Sequence, residues 1–195
     1  MPLQYLLPTT SGALRQGEII SEVWEHQPSH SPVELPEGSA IGVHSELHPH
    51  LLVMTADCDL LWDYQPRLAL RDKGESVQSA RDHPSLLPHV LFCEIYDEVE
   101  IKGRVLGSDL WKRIRQNQDE RYHHLSASAV GDPTVSDLPD LYLDFKKTLT
   151  LPTHRLYEAL ESSRIRRSAV LPPVFLQALM HRFYSFLGRV GVPES

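Results

Sequence analysis

The sequence predicts an α+β fold, an antiparallel β-barrel or small sheet with a helical insertion and a C-terminal helix. Three observations predict it. Short apolar runs of strand length alternate with polar stretches rich in proline and serine. Their irregular spacing lacks the strand–helix–strand rhythm of a doubly wound parallel sheet. A single long stripe of apolar residues at helical spacing stands near the C-terminus.

The elements follow in order. Glu18 to Val23, after Gly17, reads as a first strand. Leu51 to Thr55 is a continuous apolar run, as expected of a strand buried on both faces, and Val90 to Tyr96 is another. Leu141, Leu143 and Phe145 alternate with Tyr142, Asp144 and Lys146, and residues 148–151 continue that period of two. Ser108 and Asp109 are candidate caps for a helix through Leu110, Trp111, Ile114 and Gln118 towards Tyr122. Thr153 is a candidate cap for a short helix with Leu156, Tyr157 and Leu160 on one face. Pro172 and Pro173 suit the first turn of the last helix. There Phe175, Leu176, Leu179, Met180, Phe183, Phe186 and Leu187 form a core-packing stripe that Gly188 ends. Residues 27–39, 71–85 and 126–139 read as loops. One domain over 1–195 is expected. Its barrel strands fall mainly within 15–106 and 122–151, with a helical insertion at 108–124 and a helical region at 153–190.

Composition excludes several classes. Among 195 residues, 41% hydrophobic content is enough for a core and argues against global disorder. No run of about 18 apolar residues occurs, so no membrane-spanning helix is expected. Residues 1–10 have no basic leader and do not read as a signal peptide, so the cytoplasm is the expected location. Two cysteines, Cys58 and Cys93, are too few for a disulfide framework, and Cys93 reads as a core thiol. A net charge of −7 argues against a polycation that coats nucleic acid. Cations nevertheless cluster at 112–115, 146–147 and 164–167, the last of which reads as carboxylate partners.

Several short pieces together resemble the PemK/MazF-like toxins. Gly17-Glu18-Ile19-Ile20 stands where that family opens its first strand, and Leu51-Leu52-Val53-Met54-Thr55 is similar to its buried strand ending in Ser or Thr. Asp144 to Leu156, with Thr148 and Arg155, is similar to its later strand leading into a helix. The resemblance implies an SH3-like small antiparallel barrel and, for several members, ribosome-independent endoribonuclease activity. It puts Thr55 at the catalytic Ser/Thr position. The family's ribonucleases carry Arg-Pro before the buried strand, where this chain has His48-Pro49-His50; Arg15 is the nearest arginine to the first strand. The Thr55-Ala56-Asp57-Cys58-Asp59 pattern and the Asn117 to Tyr122 segment also resemble uncharacterised bacterial proteins, with no activity attached.

The first candidate site is Thr55 to Asp59, where a buried strand meets a turn. One reading makes Thr55 a hydroxyl donor, Asp57 or Asp59 a general base and Cys58 a nucleophile or ligand. The other makes the acids Asx-turn acceptors and Cys58 a packed thiol. His48 and His50, two apart, are expected on one face of an extended segment, where either is a candidate base. No paired Cys or His spacing supports a zinc site, so no metal or cofactor is expected. Arg121 and Tyr122, extended by Lys112 and Arg115, are candidate nucleic-acid contacts. His123 and His124 read as cations at a helix C-terminus.

The expected function is that of a PemK/MazF-like nucleic-acid-acting protein, an endoribonuclease or a degenerate relative. The alternatives are a protein-binding or regulatory module of a bacterial defence or toxin–antitoxin system, and a Cys- or metal-dependent hydrolase. RNA, a protein partner and a second copy of the chain are the partner classes left open.

Overall fold

A computed structural model describes residues 5–9, 11–28, 42–74, 83–104, 107–127 and 138–189. In chain order the elements are β1 (Glu18–Pro28), β2 (Val43–Val53), α1 (Asp57–Asp72), β3 (His89–Tyr96), α2 (Glu98–Arg104), α3 (Ser108–Arg115), β4 (Tyr122–Leu125), β5 (Leu141–Pro152), α4 (Thr153–Glu161), β6 (Arg166–Val170) and α5 (Pro173–Leu187). The fold is α+β. All six strands pair antiparallel in one sheet, in the order β4-β5-β3-β2-β1-β6. Among the described residues β4 and β6 do not pair, so the sheet has two edges and is not closed. No helix there is long and apolar enough to cross a membrane.

Helices cover both faces, which is why the central strands read as unbroken apolar runs. On one face Ile19, Leu52, Cys93 and Phe145 pack against Leu179, Met180, Phe183 and Phe186 of α5. On the other, Ile20, Leu51, Val53 and Phe92 pack against Leu60 of α1 and Leu156 of α4. A smaller cluster joins Tyr142 to Ile101 of α2 and Ile114 of α3. The α5 stripe is core as expected, except that Leu187 is exposed. Gly17 shows how closely α5 is seated. Its φ is 78°, and a Cβ there would stand 2.9 Å from Leu176 Cδ1.

The structure corrects several boundaries. Helix α1 was not expected, and it takes in residues 71–72 of an expected loop. Its buried positions, Leu60, Asp63 and Arg67, have helical spacing, but two of the three are charged. Asp63 accepts from Arg67 Nε at 2.6 Å and from the Leu87 N–H at 2.7 Å. Helix α2 was also missed, although Asp97 and Glu100 form a reciprocal capping box. The expected insertion 108–124 is not helical throughout: α3 stops at Arg115, and Tyr122 to Leu125 are strand β4. The expected strands at 141–145 and 148–151 are one strand, β5, and the C-terminal region contains β6. Ser108 and Thr153 lie at the first helical positions and do not cap. The expected loops lie largely at 29–41, 75–82 and 128–137, outside the described residues.

Candidate functional site

Strand β1 lies between β2 and β6, so one of its residues faces both neighbours. Ser21 stands opposite His50 on β2 and Arg166 on β6. It is a buried hydroxyl that follows Ile19 and Ile20, and burial obliges it to find partners. Its Oγ lies 2.7 Å from His50 Nδ1 and 2.6 Å from Ser168 Oγ. A hydrogen-bonded row therefore crosses three strands: Ser168, Ser21, His50. Arg166, two residues before Ser168, bonds Glu22 at 2.9 Å.

A backbone irregularity sits beside this row. Glu22 adopts φ 65°, and it and Pro49 fall between the paired positions Ser21–His50 and Val23–His48. Pro49 cannot donate to a ladder, so an irregularity is where a central strand can hold it. Burial lowers the pKa of His50, and the Arg166 charge adds to that, against the opposing fields of Glu100 and Glu22. His50 is thus a neutral imidazole near pH 7, oriented through Nδ1.

His48 is treated differently. It is 5% exposed and lies between two carboxylates. Its Nδ1 is 3.4 Å from Glu94 Oε1 and its Nε2 is 3.1 Å from Glu25 Oε2. The bond to Glu94 raises its pKa first, burial opposes, and Glu25 raises it further. Glu94 also accepts the Tyr96 hydroxyl, and the Arg104 guanidinium stands 4.0 Å over the Tyr96 ring.

Thr55 and Asp57 each hold a local hydrogen bond. Thr55 Oγ1 accepts the Leu91 N–H at 2.8 Å, which extends the β2–β3 pairing past the strand end. Asp57 Oδ1 accepts the Gln16 N–H at 2.6 Å, and Asp57 and Asp59 occupy the acidic first turn of α1. Cys58 is exposed, with Sγ 3.7 Å from Asp59 Oδ1. Among the described residues no arginine bonds Thr55, and no bond joins His50 to residues 55–59.

The expected nucleic-acid contacts lie on β4 and its start and on α3, which packs against Tyr122. Arg121 forms a two-point pair with buried Asp144, at 2.7 and 2.5 Å, and lies 4.8 Å over the Tyr122 ring. Tyr122 is buried on β4, and Lys112 and Arg115 are exposed on α3. His123 and His124 are on β4, not at a helix end. Cys93 is a core thiol, and its burial pushes its pKa up. Of the cations at 164–167, Arg166 and Arg167 pair with Glu22 and Glu18, and Arg164 bonds Ser162 Oγ.

Sequence reasoning found His48 and His50 but missed Ser21, Ser168, Glu25, Glu46 and Glu94. The available signal was polar residues placed inside strands, each unremarkable until its cross-strand partner is known. The chain matches no protein-family model, and comparison with curated proteins gives no significant match.

Proposed function

We propose that the chain acts on RNA as an endoribonuclease related to the PemK/MazF-like toxins, with His50 as general base in place of the family's Ser/Thr position, Thr55, which here bonds the Leu91 N–H. The observation that supports this reading best is the Ser168–Ser21–His50 row with Arg166 beside it. With the Nδ1 proton donated to Ser21 Oγ, the His50 Nε2 lone pair is left to take a proton from a ribose 2′-hydroxyl. The 2′-oxygen then attacks phosphorus, and the 5′-oxygen leaves with a proton from solvent. Arg166 supplies the cation that the family carries just before its buried strand, here brought in from the edge strand. On this reading the sheet is the core of an SH3-like barrel, and the irregularities in β1 and between β3 and β5 are its corners.

The test is cleavage of single-stranded RNA by the purified chain, with product ends identified. The expected products carry a 2′,3′-cyclic phosphate and a 5′-hydroxyl. His50→Ala is expected to lower the rate by about 10²- to 10⁴-fold in a protein that still folds, with a modest fall in melting temperature from the lost Ser21 bond. A wild-type protein that does not cleave, or a His50→Ala variant that cleaves normally, overturns the proposal.

A second reading, a protein-binding module, is favoured by one surface. Trp24 and Leu47 pair across β1 and β2 yet stay exposed, 56% and 43%, beside a cleft of about 770 Å³ lined by Val23, Leu151, Leu156 and Ile165. Concentration-dependent self-association that Trp24→Ala abolishes would support it.

A further inference from the structure

Two observations on β1 and β2 remain unexplained by the RNA reading. The first is that Glu25 and Glu46 stand directly opposite each other in the ladder. Like charges at paired positions repel, and a cation shared between them would relieve that repulsion. The second is His48, enclosed by carboxylates at both ring nitrogens. The protonated ring gives one N–H to each carboxylate, and a cation at Nε2 would take the place of one of those protons.

We infer that Glu25, Glu46 and His48 Nε2 form a site for one divalent first-row transition cation, with Glu94 holding the ring from behind. One oxygen of each glutamate and one nitrogen of His48 lie within 4.8 Å of one another. Donors about 2.0–2.2 Å from a shared ion stand about 3–4 Å apart, so small rotamer adjustments close the set. The 3.1 Å between His48 Nε2 and Glu25 Oε2 already meets that spacing. An Nδ1–H directed at Glu94 fixes the tautomer that frees Nε2, the carboxylate–histidine–metal arrangement that orients ligands elsewhere. One imidazole with two carboxylates suits Zn²⁺ or Mn²⁺ better than Mg²⁺ or Ca²⁺. Glu46 is exposed, which gives the ion a route in, and three protein donors leave a position for water or a ligand oxygen. A cation there would also offset the carboxylates that otherwise repel a polyanion from His50.

The experiment reads binding, not cleavage, so its outcome is independent of the RNA assay. Metal-free protein carrying Cys58→Ser, which removes the exposed thiol as a competing ligand, is titrated calorimetrically with Zn²⁺ and with Mn²⁺. One saturable site and a raised melting temperature are expected. Glu46→Gln is expected to weaken Zn²⁺ binding at least about 10-fold, and Glu94→Gln by about 10- to 100-fold. Metal-free Glu46→Gln is expected to melt no lower than its parent, because the opposed charges are gone. Absence of saturable binding, or wild-type affinity in both variants, overturns the inference.

Discussion

Two pairs of histidines sit on strands of one sheet, and their surroundings could hardly differ more. His48 and His50 on β2 spend ring nitrogens on side chains: Glu25 and Glu94 for the first, Ser21 for the second. His123 and His124 on β4 both stack on aromatic rings. His123 stacks on Phe145, and its buried Nδ1 has no partner. His124 stacks on Tyr142 at 4.8 Å, bonds the backbone carbonyl of Arg115, and lies with Nε2 3.3 Å from Asp140 Oδ1, so of the two only His123 lacks a polar side-chain partner among the described residues. A histidine whose polar atoms meet hydroxyls and carboxylates is equipped to move a proton or hold an ion. One that is packed on rings contributes burial and fixes backbone. Residue type alone does not separate the two.

The contrast is broken most directly by exchanging the targets. His50→Ala is expected to lose RNA cleavage by about 10²- to 10⁴-fold, whereas His123→Leu keeps the wild-type rate. Equal losses would erase the distinction.

A smaller effect should appear in stability against pH. Burial, helped by the Arg182 and His124 charges, lowers the His123 pKa to about 3. The unfolded chain protonates this ring at about 6.5, so below that pH it binds more protons than the folded protein. Stability from this group is therefore complete above about pH 6.5 and falls as pH drops towards 3, by up to about 1.4 kcal/mol per pH unit. Denaturant midpoints from pH 7 to pH 4 should show a shallower fall for His123→Leu than for wild type. Parallel curves would mean that other groups carry the acid sensitivity.

Thr55→Val tests the far end of β2. It removes the acceptor for the Leu91 N–H and is expected to cost about 1–3 kcal/mol in urea unfolding. Cys58→Ser, at an exposed position in the first turn of α1, should stay within about 0.5 kcal/mol. A larger loss there would show that the thiol is held more tightly than its exposure indicates.

Much of the secondary structure was legible because it follows local rules. The period of two over 141–151, the apolar run of β3 and the proline start of α5 each report an element directly. Helix α1 was not legible by apolar periodicity, because two of its buried positions are Asp63 and Arg67, which neutralise each other in place. Pro66 lies inside it, and proline disfavours a helix interior. The site divides in the same way. His48 and His50 could be chosen from spacing, whereas the motif at 55–59 drew notice through its composition, and its bonds to Leu91 and Gln16 could not be read there.

By itself the sequence determined β1, β3, β5, α4 and α5 in outline, that the central apolar runs are buried on both faces, and that His48 and His50 alternate along one extended segment. Those properties depend on neighbours within a few residues. Only the tertiary structure decided that Ser168, Ser21 and His50 form one row with Arg166 beside it, and that Glu25 and Glu46 oppose each other beside His48. Ser21 and Ser168 are 147 residues apart in the chain, and their meeting is fixed by strand order and register. Register is set by summed burial over whole strands, so no short motif encodes which polar residues it brings together.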